Sequence, residues 1–380
     1  MNRKERRNSK KKRKIVLALL MLLLSGAVLG TGTYAWFTAN KVVSITQIDV
    51  NVATSNGLQI SADGINFKTI ITAKEMLAAT KAITTDEATG LNYGTYASGI
   101  NQIPNGTNAQ LSPVSTGGTV SGGMLPMYSG SIDTNDDGDN IIVTSANKET
   151  EANSNTSGSF IAFDMFLKVN SAAQIYLGES SNVIATTSGG TTDTGIQNAA
   201  RVAFVYEGNT AATSTSAVIQ GLTIGDATGY TDGSGTENVQ TVKIWEPNSQ
   251  THTDSGRVNA INVYGKGSYY NSDANTWSNI PYDGVIASIA KTANVPLTAT
   301  SSTHPTLLKS VTPFLYTNGT TVPAETKIFY LAAGITKFRV YMWVEGQDVD
   351  CENNASGGSI SLNLQFKMAD SSSSSASSGA

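Results

Sequence analysis

The chain has 380 residues, only 14% of them charged, a single cysteine and a net charge of −4. Nine of its 25 Lys/Arg fall within the first 14 residues against one acid, Glu5, so the rest carries 16 bases against 28 acids, or −12. A body of that sign has no basic footprint for nucleic acid. One cysteine closes no internal disulfide, which excludes a small disulfide scaffold.

The basic head, Met1–Lys14, runs into Ile15–Asn40, a stretch without any charged residue that holds the apolar run IVLALLMLLLSGAVLG and then the small residues TGTYA. This order is that of a secretory signal peptide. The uncharged stretch is also long enough to stay as a transmembrane helix, which leaves cleavage and permanent anchoring both open. Either way the Lys/Arg cluster stays inside and the acidic body leaves the cytoplasm, to be secreted or held at the cell surface. Thr33 and Ala35 supply the small residues a signal peptidase needs, so residues 1–35 read as signal peptide or membrane anchor.

Behind the leader the apolar residues change parity: Val43 and Ile45 are odd-numbered, whereas Ile48, Val50 and Val52 are even-numbered. The slip at Thr46–Gln47 is either a β-bulge within one strand or a hinge between an N-terminal arm, 36–47, and the first strand. An arm carrying Phe37, Val43 and Ile45 can add itself to an open sheet edge of another copy. Further on, TAKEMLAATKAI has Thr72 followed three residues later by Glu75, a capping box that predicts a short helix.

Residues 84–158 read as an insertion rich in Gly, Ser, Thr and Asn, a composition suited to loops, turns and strand edges. Within it, DTNDDGDN sets Asp133, Asn135 and Asp137 at alternate positions before Gly138, with Asp139 adding a further oxygen. That spacing is the oxygen pattern of a calcium loop. Its twelfth position is Thr144 instead of a bidentate Glu, so an acidic turn without metal is the competing reading.

Strand signals then dominate. SFIAFDMFLKVN places Ile161, Phe163, Met165 and Leu167 on one face and Ala162, Asp164 and Lys168 on the other, a half-buried strand with Phe166 outward. ITKFRVYMWVEGQ puts Phe338, Val340, Met342 and Val344 inward, with Lys337, Arg339, Tyr341, Trp343 and Glu345 opposite. SISLNLQFKM turns Ile360, Leu362, Leu364, Phe366 and Met368 inward. RVAFVYE (201–207), TVKIWEP (241–247) and KIFYLAA (327–333) are short apolar runs of strand length, the first two inside a second insertion, 179–325. Together these predict an all-β antiparallel sandwich over 48–369, followed by a flexible Ser-rich tail, 370–380.

Several of these segments resemble the TasA/camelysin family of exported matrix proteins of Gram-positive spore formers. The likeness rests on GTGTYAWFT (30–38), NGLQIS (56–61), FIAFDMFLKVNSAAQIYL (160–177) and SISLNLQF (359–366). It implies Ala35 as the last leader residue, Trp36 as the mature N-terminus, a jelly-roll fold, and fibres assembled by donor-strand exchange in a biofilm matrix. The two insertions make this chain longer than the family's usual members.

Camelysin-type members are classed as metallopeptidases, and the sequence offers no such site. It has two histidines, His252 in THTDS and His304 in STHPT, and no H-E-x-x-H or G-x-S-x-G. Cys351 sits between Asp350 and Glu352, whose charge raises a thiol pKa and blunts its reactivity. No enzyme activity is therefore expected. Trp245, Trp277 and GSYYN (267–271) are flat surfaces for stacking on a cell-wall sugar or other glycan, with Glu246, Asn248, Asp273 and Asn275 as polar partners, unless they are packing residues. The expected roles are thus a self-associating surface or matrix protein processed by a signal peptidase, or a monomeric, membrane-anchored adhesin.

Overall fold

The computed structural model describes residues 43–53, 57–80, 94–103, 110–114, 116, 120, 123–134, 140–149, 159–186, 195–223, 242–248, 270–271, 276–277, 314–315, 327–346, 348, 350–351 and 357–368. The leader, the Ala35–Trp36 junction, Phe37, Asn135, Asp137, Asp139, both histidines and the Ser-rich tail lie outside these residues. In chain order the strands are β1 (Val43–Val52), β2 (Gln59–Ser61), β3 (Ile70–Thr72), β4 (Asn101–Gln102), β5 (Gln110–Leu111), β6 (Met127–Thr134), β7 (Asn140–Glu149), β8 (Phe160–Val169) and β9 (Ala173–Leu177). They continue with β10 (Asn182–Ala185), β11 (Ala200–Thr210), β12 (Val242–Glu246), β13 (Tyr270–Asn271), β14 (Thr276–Trp277), β15 (Phe314–Leu315), β16 (Lys327–Leu331), β17 (Gly334–Val344) and β18 (Ser359–Met368).

The described chain is mostly β-sheet, as the alternating segments predict. A first sheet runs β16-β9-β18-β1-β3, with β10 also against β18 and β5 also against β1. A second runs β15-β12-β11-β17-β8-β2, with β4 also against β8. The pairs β6–β7 and β13–β14 form two-stranded ladders. Helices are short: Ala73–Ala79 carries the expected capping box, Thr72 accepting from the Glu75 N–H while the Glu75 side chain takes the Thr72 N–H, and Ser216–Gln220 adds one turn.

Period-two alternation places the core. From the first sheet, Val50, Ile175, Ile360, Leu362, Leu364 and Phe366 point toward Phe163, Phe204, Phe338, Val340 and Met342 of the second, and all are buried in one cluster. Aromatic rings stitch the two layers together. Phe366 of β18 meets Phe338 edge-on at 5.6 Å between centroids and Phe204 at 5.9 Å, while Phe329 lies 5.8 Å from both Phe338 and Tyr206.

The first strand settles the parity question in favour of the bulge. β1 runs parallel to β18, pairing Ser44 with Ser359 and Ile45 with Ile360, then Gln47 with Ser361 and onward to Val52 with Phe366. Thr46 is the additional residue, and it restores an inward course to both apolar sets: Val43 and Ile48 are 1% and 2% exposed. Val43 also pairs with Leu111 of β5. Residues 43–47 therefore belong to the chain's own sheet, and the boundary placed between arm and sandwich at 47–48 falls inside a strand. Val43 and Ile45 are core and near-core residues here, not parts of a detached arm.

Two further expectations change. The segment 160–169 is not half-buried: Phe166 and Asp164 are as enclosed as Phe163, and in β17 the face bearing Lys337, Arg339, Tyr341 and Trp343 is buried too. A third layer covers that side. Val114, Leu125 and Met127 pack on Phe160, Ala162, Ala203, Val205, Tyr341 and Trp343, while Tyr96 and Ile219 pack on Phe166 and Ile335. Part of the segment read as an insertion, 84–158, is thus a lid on the second sheet. The other proposed insertion, 179–325, contains β10, β11 and β12, of which β11 is a central core strand paired with β17 over ten residue pairs.

One glycine is dictated by backbone geometry. Gly334 opens β17 with φ +124°, and a Cβ there would stand 2.2 Å from the Thr210 carbonyl oxygen, so only glycine fits the turn between β16 and β17.

Candidate functional site

The covered face of the second sheet holds the densest chemistry in the described chain. Lys337 and Arg339 are two apart on β17 and so share that face. Asp164 on β8 stands directly opposite Arg339. On the other flank, β11 bulges between Tyr206 and Gly208, and Glu207 is the additional residue, set against both cations. Three adjacent strands thereby bring two acids and two bases into one group, with Asp164 3%, Glu207 2%, Lys337 5% and Arg339 7% exposed.

The contacts alternate in sign. Arg339 Nε lies 2.6 Å from Asp164 Oδ1 and Arg339 Nη2 3.0 Å from Glu207 Oε1. Lys337 Nζ lies 2.9 Å from Glu207 Oε2 and 3.5 Å from Asp164 Oδ2. Lys337 also donates to the carbonyl of Leu222 at 2.9 Å, just past the short helix. Tyr96 closes the group from above, its hydroxyl donating to Asp164 Oδ2 at 2.6 Å and its ring 5.7 Å from the Lys337 ammonium. Gln220 ties the lid together, donating to the carbonyls of Asp63 and Thr95, each at 2.7 Å.

Protonation follows from this arrangement. Burial pushes Asp164 up, but the charges of Arg339 and then Lys337 outweigh it and hold the carboxyl below its ordinary range. Glu207 goes the other way: burial first, then the neighbouring Asp164 charge, push it up to about 7 against the pull of Arg339 and Lys337. Burial and the Asp164 charge also raise Tyr96, which keeps its phenol a hydrogen-bond donor. Four charges summing to zero suit a low-dielectric site, and removing one member leaves an uncompensated charge at a cost of about 3–5 kcal/mol.

A second buried group lies nearer the other end of the same sheet face. Arg201, fully enclosed, reaches Asp348 at 2.7 Å and Glu246 at 2.9 Å through Nη2, and donates through Nη1 to the carbonyls of Asn198 and Ala200. Burial disfavours its charge, but Glu246, Asp348 and Glu345 more than compensate, so its pKa is raised. Trp343 Nε1 donates to Glu345 at 3.1 Å. The Cys351 N–H is held by the Asp348 carbonyl at 3.0 Å, and Cys351 itself is buried. This group pins the turn after β17 to β11 and β12.

The sugar-stacking residues fare differently. Trp245 is 0% exposed and belongs to the main core, so it offers no open ring face. Glu246 is engaged by Arg201, and Asn248 donates to the carbonyls of Val183 and Gln197. Trp245 is thus a core residue, while Glu246 and Asn248 are engaged within the fold. Trp277 lies in β14 opposite Tyr270, while Asp273 and Asn275 lie outside the described residues. Of the calcium candidates, Asp133 is the penultimate residue of β6, opposite Ile141. Among the described residues no three His, Cys, Asp or Glu are grouped to hold a metal ion, and no helix is long and apolar enough to cross a membrane.

Sequence reasoning read Asp164, Lys337 and Arg339 as a solvent face and passed over Glu207. Their signal was present, since these charges stand inside strands made mostly of large apolar residues. Comparison with protein-family models, with curated proteins and with solved structures finds no match to this chain.

Proposed function

We propose that this chain is an exported structural protein of the bacterial surface or extracellular matrix, built as a jelly-roll-like sandwich and able to polymerise by strand exchange. The observation that carries the reading is the position of β1. The first described strand behind the leader lies inside its sheet, between β18 and β3, bound along its length to the last described strand, β18. An identical β1 from a second copy would make the same ladder, so exchange sacrifices no contact within the sheet. Large buried surfaces, short helices and charge groups engaged within the fold support a building-block role. The acidic body behind a basic, apolar leader supports export and processing by a signal peptidase after Ala35.

The register supplies the test. Ser44 and Ser359 are partners across β1 and β18. Mixing chains that carry only Ser44→Cys with chains that carry only Ser359→Cys, under mild oxidation, is expected to yield disulfide-linked oligomers, with filaments under the electron microscope. If the mixture stays monomeric and unlinked at raised concentration, polymerisation by exchange of β1 is wrong. Binding of those monomers to cell-wall polysaccharide would then favour an adhesin.

A further inference from the structure

The group on the covered sheet face has the composition of a reaction centre as well as that of an ion-pair cluster. A primary amine, Lys337 Nζ, stands 3.5 Å from one oxygen of the Asp164 carboxyl, and the two side chains come from neighbouring strands. Glu207 Oε2 stands 2.9 Å from the same amine. Arg339 Nε binds the other Asp164 oxygen at 2.6 Å, and the Tyr96 hydroxyl donates to the near one, also at 2.6 Å. Water is excluded by the lid of residues 94–103 and 216–222, since all four charged side chains are below a tenth exposed.

We propose that Lys337 and Asp164 condense to an intramolecular amide that links β17 covalently to β8. The step balances without any co-reactant. Glu207 accepts a proton from the Lys337 ammonium, and the freed amine attacks Asp164 Cγ, forming the C–N bond. Negative charge gathers on Oδ1, where Arg339 holds it, an oxyanion partner already in place. Oδ2 leaves as water, taking one proton through the Tyr96 hydroxyl and the second from Glu207, the latter being the proton first removed from the amine; one of the two protons left on the nitrogen restores Tyr96, and the other stays as the amide N–H. One ammonium and one carboxylate become one neutral amide and one water.

Asp164, not the nearer Glu207, is the acceptor because its carboxyl alone has both an oxyanion partner and a phenolic proton donor. Glu207, with a proton affinity raised toward neutrality, suits the role of proton carrier. The electrostatics of the product also close. Condensation removes one charge of each sign and leaves Glu207 paired with Arg339 at 3.0 Å, a neutral remainder. The same guanidinium that keeps Asp164 ionised before reaction is thus satisfied after it. In a chain that can form no internal disulfide, such a bond would supply the covalent strand-to-strand tie. This proposal does not depend on polymerisation.

Mass spectrometry of the secreted full chain decides it. A protease digest is expected to contain a single cross-linked species joining the peptides of Lys337 and Asp164, lighter than their sum by one water. Lys337→Arg should abolish it, and Glu207→Gln, which keeps the side-chain shape, should slow or prevent it. Circular dichroism on the same samples reports whether each variant folds, and the unmodified chain is decisive by itself. Recovery of both peptides from folded protein at their full sequence masses, or a link from Lys337 to Glu207, would overturn the assignment and leave an ion-pair group only.

Discussion

Deleting Thr46 is a direct probe of how the first strand is seated. Upstream, Ser44 and Ile45 face Ser359 and Ile360; downstream, Gln47 and Ile48 face Ser361 and Leu362. Because β18 has no residue opposite Thr46, its removal joins the two ladders in one register without turning any side chain over. Deleting Asp49, three residues on, has the opposite effect, since it lies where the register is regular. If 50–52 stay in place, the loss rotates Val43 and Ile48 from the core toward solvent and Ser44 and Gln47 inward. Full burial of such side chains is worth about 1.5–3 kcal/mol each, so exposing two costs about 3–6 kcal/mol. The Thr46 deletion should change stability by less than about 1 kcal/mol, in line with substitutions that disturb no buried group. Urea unfolding, read as midpoint at unchanged slope, separates the two outcomes. Equal destabilisation by both deletions would refute the bulge and the pairing on either side of it.

The aromatic hub gives a second prediction: Phe338→Ala, at a fully buried side chain touching both Phe329 and Phe366, should cost about 3–5 kcal/mol in the same assay, and Phe338→Leu clearly less. The third concerns acid. Asp63 closes the turn after β2, accepting from the Ile65 and Asn66 N–H groups at 2.8 Å each and from the Ser61 hydroxyl at 2.7 Å. Burial alone would raise its pKa, but these bonds, that of Asn66 foremost, bring it below its ordinary 3.8. A carboxyl depressed in the folded state contributes stability that is complete above its unfolded pKa and disappears as pH falls through the folded value. Asp63→Ala should therefore lose about 1–3 kcal/mol at neutral pH, and the gap from the unmodified protein should narrow in unfolding curves taken below pH 3.8. A gap that does not change with pH would remove Asp63's charge from the account.

The sequence revealed much of the sheet and little of its cover. Alternation in SISLNLQFKM marked the inward residues of β18, because one face of the first sheet is polar and period two is then visible. In β8 and β17 the same alternation is present, but both of its sets are buried. Tyr341, Trp343, Lys337 and Arg339 look like an outer face to any rule that equates charge with water. They are enclosed because residues 94–103, 110–114 and 123–127, from segments whose Gly- and Ser-rich composition suggests only loops, fold back across them. Charge pairing among β8, β11 and β17 is a property of three strands far apart in sequence, and no local pattern reports it. Thr46 was different, since a parity slip is local by nature and both of its meanings could be stated beforehand.

The parallel setting of β1 against β18 has a mechanical corollary. Tension entering through the residue before Val43 and leaving through the residue after Met368 pulls the two strands in opposite senses along their common axis. Every rung from Ser44–Ser359 to Val52–Phe366 is then loaded at once, in shear, instead of being peeled open one after another. A subunit held at both ends in a stretched assembly would resist force through its whole ladder, and the strength of that resistance would be set by the length of the first and last strands.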